Sequence, residues 1–201
     1  MLHAMSKSDR RITPDDLMDL DAYGRIRKDK RAEMIAMKAH RRMEVGPYAT
    51  FYFENYDTMW QQVQEMLYTE RGGAEQIGDE LGAYNPLIPQ GRELVATMML
   101  EIPDATRRAA VLAKLGGIEE TVSMTIGNET IEAVAETDVD RTSAAGKASS
   151  VHFFHFPMTD DQAASFKSGD GEVMIAIDRE GYQHRAVMPA AVRKALAADL
   201  D

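Results

Sequence analysis

From Tyr48 to Glu54 apolar and polar positions alternate, with Ala49, Phe51 and Phe53 on one side and Tyr48, Thr50, Tyr52 and Glu54 on the other, which is the period of a strand. Alternation, or a short β-prone apolar run, predicts further strands at Glu93–Ile102, Thr121–Ile126, Thr130–Ala135, Ser149–Phe156, Val173–Ile177 and Tyr182–Val187. Gly127-Asn128 is a two-residue turn signal, and Asp178-Arg179-Glu180-Gly181 separates the last two strands. Two antiparallel hairpins in one sheet are therefore expected.

Helices follow from caps, helix-former runs and stops. Thr13-Pro14-Asp15-Asp16 starts a short helix to about Leu20, with a capping residue, proline at the first position and acids in the first turn. Ala22–Glu44 is rich in helix formers, with only Gly24 against them, and Gly46-Pro47 stops it. Asp57 or Thr58 opens a helix to Arg71 with Trp60, Val63 and Leu67 as its apolar stripe, and Gly72-Gly73 ends it. Further helices are expected at Ala74–Leu81, Ala105–Leu115, Thr159–Phe166 and Pro189–Leu200. Tyr84–Pro89 reads as an extended loop braced by two prolines, and Asp138–Lys147 as a polar loop. The sum is an α+β fold: an antiparallel or mixed sheet of about seven strands with helices packed on it, and a long N-terminal basic helix.

Composition narrows the picture. The 201 residues suit a single α+β domain over residues 13–201, after a disordered extension over 1–12. No apolar run approaches the roughly 20 residues of a membrane helix, and Met1–Arg11 shows no basic and apolar leader, so a cytoplasmic protein without membrane association is expected. The absence of cysteine removes thiolate metal sites, iron–sulfur ligation and redox dithiols, and leaves oxygen and imidazole chemistry.

The net charge of −10 conceals an asymmetry: Arg25–Arg42 holds eight basic residues against Asp29 and Glu33, a local +6. The rest of the chain then carries −16. Such a body repels extended polyanions, so no nucleic-acid partner is expected. The basic segment reads either as a solvated helix whose cations meet the protein's own carboxylates, or as a docking face for an acidic partner made by Arg25, Arg27, Lys28, Arg31, Lys38, Arg41 and Arg42.

Motifs for phosphate loops, dinucleotides, zinc proteases and nucleophile elbows are absent, as is a Glu-x-x-His pair. His152 and His155 would point to opposite faces of their strand, as would Met98 and Met99, so neither pair makes a metal site; no metal or cofactor is expected. Glu65 and Glu70 are the carboxylates of interest. They lie beside the apolar stripe, where partial burial would raise their pKa, unless Glu70 pairs with an arginine of the basic helix or both are solvated.

The order of Thr13-Pro14-Asp15-Asp16-Leu17, Gln62–Leu67 with Glu70-Arg71, Glu80-Leu81, Tyr84–Pro89, Ala96-Thr97-Met98 with Glu101, and Ser150-Val151-His152-Phe153 resembles the bacterial domain-of-unknown-function family 3501. The resemblance spans Ile12 to Phe156 and continues more weakly beyond. It implies a genomic association with rubrerythrin-like proteins and iron–sulfur oxidoreductases, and hence an accessory role in redox or peroxide handling. It also places Gln64, Glu65, Glu70, Arg71, Tyr84, Asn85 and His152 at motif positions, a candidate pocket. The chain departs from the pattern at Tyr68 and at His155, where the resemblance implies an arginine.

Two functions are thus expected in competition. One is an accessory protein that docks on a redox partner without carrying a redox cofactor. The other is a small-molecule or metal-assisted enzyme using Glu65 or Glu70 as general base and His152 as acid or ligand, its loop Tyr84-Asn85 within hydrogen-bonding reach of a carboxylate.

Overall fold

The computed structural model describes residues 7–137, 141–143 and 146–201; residues 1–6 of the extension expected over 1–12 and parts of the polar loop Asp138–Lys147 lie outside them, while Ile12, at the end of that extension, is buried with its N–H bonded to Asn85. The chain forms two compact units, one of Met1–His40 with Glu54–Gln90, the other of Arg41–Phe53 with Gly91–Asp201. The described residues hold six helices and nine strands, an α+β architecture. None of these helices is long and apolar enough to cross a membrane.

The first unit is helical. The expected helix at Pro14 is a single 3-10 turn, Pro14–Asp16, closed by the Asp16 carboxylate, which accepts the Thr13 N–H and hydroxyl at 2.8 and 2.7 Å. Helix α1 (Leu20–Lys38) is capped by Asp19, α2 (Tyr56–Glu70) by Asn55 with Thr58 in a capping box, and α3 (Ala74–Tyr84) runs into a 3-10 turn at Asn85–Leu87 where an extended loop was expected. Tyr23 of α1 packs edge-on against Trp60 and Tyr68 of α2. Gly24 permits this approach, since a Cβ there would sit 3.0 Å from the Tyr68 ring.

The second unit is two antiparallel sheets. One has the order β1-β2-β3-β7-β6, from β1 (Arg42–Val45), β2 (Ala49–Glu54), β3 (Glu93–Leu100), β6 (Val134–Ala135) and β7 (Val151–Pro157). The other has the order β5-β4-β8-β9, from β4 (Val122–Ile126), β5 (Glu129–Glu132), β8 (Val173–Arg179) and β9 (Tyr182–Val187). Their apolar faces supply one core, which includes Phe51, Phe53, Phe154, Phe156, Met124 and Ile175. Helices α4 (Ala105–Leu112), α5 (Asp160–Ser168) and α6 (Ala190–Ala197) add Leu112, Phe166 and Leu196 to it. Both expected hairpins are present in the four-stranded sheet: β4 pairs with β5 around Gly127-Asn128, and β8 with β9 around Glu180-Gly181.

Two further elements differ from expectation. The basic helix stops at Lys38, and Arg42–Val45 is a strand with Met43 and Val45 buried and Arg42 and Glu44 exposed. Good helix formers are overruled here by pairing with β2 and burial of two apolar side chains. The expected strand Thr130–Ala135 is divided at Ala133 between the sheets: β5 pairs with β4 and β6 with β7. One strand thus turns the corner between two sheets.

Candidate functional site

The motif residues of the first unit fold into hydrogen-bond clamps. Gln64, fully buried on α2, accepts the Met18 N–H at 3.0 Å and donates to the Met18 carbonyl at 3.1 Å. Asn85 does the same to Ile12, at 2.7 and 2.9 Å, and the Trp60 indole donates to the Asp16 carbonyl at 2.9 Å. Three side chains thereby satisfy the main chain of Ile12–Met18, which has no strand partner. Gln64 and Asn85 spend their carboxamides on main chain, although Asn85 also lines a surface cleft with Ile12, Pro86 and Gln90.

Glu65 lies at the centre of the α1–α2 contact. Oε1 accepts from the Tyr23 hydroxyl at 2.5 Å, Arg27 Nε at 3.0 Å and Gln61 at 3.3 Å, while Oε2 accepts from Arg27 Nη2 at 2.8 Å and Arg31 at 3.4 Å. Gln61 also donates to the Tyr23 hydroxyl. Burial pushes the Glu65 pKa up, but the hydrogen bonds from Arg27 and Tyr23 and the charges of Arg27 and Arg31 outweigh it and hold the carboxyl below its ordinary range. The Tyr23 hydroxyl is pushed up, by burial first and by Glu65 next. A carboxylate with every lone pair engaged and a lowered pKa is a weak base, the reverse of the expected raised pKa.

Glu70 is exposed rather than set in the stripe margin; Gln76 donates to it and to Glu80, at 2.9 Å each. Tyr84 receives a long hydrogen bond from Gln62 at 3.5 Å, and Asn85 is engaged with Ile12, so the hydrogen bonds of Glu65 and Glu70 run elsewhere than to the Tyr84-Asn85 segment. Arg71 caps α2 in the left-handed region, at φ 54°, and with Arg27 flanks the Tyr68 ring, their guanidinium carbons 5.5 and 5.0 Å from its centroid.

His152 belongs to the second unit. It is fully buried beside Phe154; Nε2 lies 3.0 Å from the Ser149 carbonyl, so that nitrogen carries the proton, and Nδ1 lies 4.0 Å from Glu119. Burial pushes its pKa down and keeps the ring neutral. His155 does face the opposite side. Its two ring nitrogens each lie 2.8 Å from a carboxylate, Nδ1 from Glu93 and Nε2 from Glu136, so the ring donates at both ends and is an imidazolium. The Glu93 hydrogen bond, assisted by Glu136 and opposed by burial, pushes its pKa up. Among the described residues no group of three or more His, Asp or Glu side chains is placed to hold a metal ion.

The residues expected to form a docking face divide. Arg25 and Lys28 are exposed on α1 and make no ion pair among the described residues; Lys38 closes the helix half-exposed. Arg27 and Arg31 serve Glu65. Arg41 and Arg42 leave the face: Arg41 is buried, donating to the Phe53 carbonyl at 3.0 Å and ion-paired to Asp199, and Arg42 meets Glu44 at 2.8 Å. The reading in which the cations meet the protein's own carboxylates holds for Arg27, Arg31, Arg41 and Arg42.

Two features had little sequence signal. Only Tyr23 is buried along the 19 residues of α1, and Ile35 stands 70% exposed. Beside this helix a cleft of about 600 Å³ is lined by Met18, Met34, Met37 and Trp60, with Lys30, Glu33 and Asp57 at its polar side. Lys30 pairs with Glu33, and Lys7 with Asp57. A surface apolar residue next to methionines is the one hint the sequence carries, because Met suits adaptable contact surfaces.

A helical unit that presents a cationic, partly apolar helix, joined by the same chain to a two-sheet α+β unit, defines the class. The chain belongs to a family of proteins of unknown function, DUF3501, whose model matches residues 11–200. It is similar to a crystal structure, at 1.90 Å resolution, of a novel protein of unknown function from Burkholderia pseudomallei K96243, with 36% identity and a TM-score of 0.87 over 94% of this chain and 99% of that one. No curated protein matches it in sequence.

Proposed function

We propose that the protein is an accessory, partner-docking component of a bacterial redox or peroxide-handling system, without a redox cofactor of its own, and that α1 is its docking element. The observation that carries this reading is the exposure of α1. Arg25 and Lys28 make no ion pair among the described residues and Ile35 lies open to solvent, on a helix whose inner side is fixed through Tyr23 and Glu65. Isolated surface charges steer an acidic partner, and an exposed apolar residue among them supplies contact once it arrives. The redox setting rests on the association implied by the family resemblance, with rubrerythrin-like or iron–sulfur oxidoreductase partners. The competing enzyme reading is weakened by the Glu65 carboxylate, which is saturated with donors.

The test is affinity capture from lysate at low salt with identification of the bound proteins, repeated with Arg25→Glu/Lys28→Glu. Recovery of a redox protein by the wild type, lost in the variant and at high salt, is expected, since screening acts over about 10 Å at 0.1 M salt. Recovery of RNA, or of no salt-sensitive partner, overturns it.

A further inference from the structure

Away from α1, the second unit has a cleft of about 430 Å³ between α5, α6, the start of β8 and the end of β9. This is within the size range of small-ligand sites. Its wall includes Phe166, Val173 and Met188, and Val187 at its lining is 52% exposed, an apolar side chain without cover.

The cations of this cleft set it apart. Arg193 is 8% exposed, and its guanidinium donates only to main-chain carbonyls: Nε to Phe166 at 2.9 Å, Nη1 to Gly171 at 2.6 Å, Nη2 to Ser165 at 2.8 Å and to Asp170 at 3.0 Å. An arginine has five N–H groups, so among the described residues one on Nη1 is unspent, and no carboxylate pairs with the charge. Lys194, exposed beside it, makes no hydrogen bond or ion pair among the described residues. Lys167 donates to the Asp201 carbonyl, and Glu172 is the one acid of the lining. Four carbonyl dipoles and the Phe166 ring, 5.5 Å from the guanidinium carbon, offset the burial of this cation, and an approaching anion would offset it further. In a protein of net charge −10, a cation-lined cleft with an apolar wall is a local inversion.

We propose that this cleft binds an amphiphilic monoanion, a carboxylate on a short apolar chain, with the head group at Arg193 and Lys194 and the chain along Phe166, Met188 and Val187. The carboxylate would take the free N–H of Arg193 and the Lys194 ammonium as charge-assisted donors. Arg193 also ties together the carbonyls around the end of α5, so its removal would perturb the fold; Lys194 and Val187 are exposed and can be changed without that cost.

The test is calorimetric titration of the full chain with octanoate, octanol and acetate, on wild type, Lys194→Glu and Val187→Glu, with circular dichroism to confirm that each variant is folded. Octanoate should bind the wild type with one-to-one stoichiometry, and about tenfold or more weaker to each variant. Octanol, lacking the charge, and acetate, lacking the chain, should each bind at least tenfold weaker than octanoate. Absence of octanoate binding, unchanged affinity in both variants, or acetate binding as tightly as octanoate would overturn the proposal.

Discussion

His155 shows how far one ring can depend on its neighbours. Held between Glu93 and Glu136, it must carry both protons, and its folded pKa is raised above the unfolded value of about 6.5. Its contribution to stability is therefore complete below about pH 6.5 and declines as pH rises through the folded pKa. Urea unfolding across that range should show a loss of stability with rising pH that His155→Gln abolishes. His155→Arg, which keeps a cation between the two carboxylates, should retain the stability and flatten the pH dependence. An unaltered slope in His155→Gln would contradict this assignment. Glu65 has the opposite sign: its lowered pKa gives stability above the unfolded carboxylate value that disappears as pH falls through the folded one. Glu65→Gln should cost about 1–3 kcal/mol in chemical denaturation, because Arg27 and Tyr23 lose a charged acceptor. A cost near zero would mean that solvent replaces the carboxylate.

At the scale of elements, single residues set how α1 packs on α2 and how the β1–β2 turn is fastened. Gly24 lies in mid-helix, where alanine would ordinarily add about 1 kcal/mol. Here the new Cβ would press on a Tyr68 ring that Arg27 and Arg71 flank, so Gly24→Ala should destabilise by about 1–3 kcal/mol, as overpacking does, measured by thermal or urea unfolding. Tyr182 on β9 fastens the β1–β2 turn: its buried hydroxyl accepts the N–H groups of Tyr48 and Ala49 at 2.9 and 2.8 Å and donates to the Val45 carbonyl at 2.8 Å. The same turn needs Gly46, at φ 74°, because a side chain there would collide with the His184 ring. Tyr182→Phe removes the hydroxyl that serves two main-chain donors and one acceptor and should cost about 2–4 kcal/mol; a change below about 0.5 kcal/mol would show that water substitutes for the hydroxyl.

For the whole molecule, what could be read in advance was local. Gly127-Asn128 and Glu180-Gly181 determine their hairpins by turn chemistry within a few residues, and the opposite orientations of His152 and His155 follow from the pleat alone. β1 was hidden because Arg42–Val45 is built of residues that suit helices, and only the distant β2 converts it to a strand. The division of β5 from β6 at Ala133 was equally invisible, being a choice between two sheets. The main-chain clamps were hidden for the same reason: Gln64 and Asn85 show their partners only when Met18 and Ile12, 46 and 73 residues away, are placed against them. Composition located the cations of α1, whereas contact alone separated Arg25 and Lys28 from the spent Arg27, Arg31 and Arg41.

The central claim is that α1 meets a partner. Hydrogen–deuterium exchange on the full chain, with and without the protein it captures, tests this most directly, because the exposed second half of α1 should exchange readily when free. Partner addition should slow exchange in the Arg25–Lys38 peptides while β3 and β7 remain unchanged. Protection that spares α1 and appears elsewhere would contradict it.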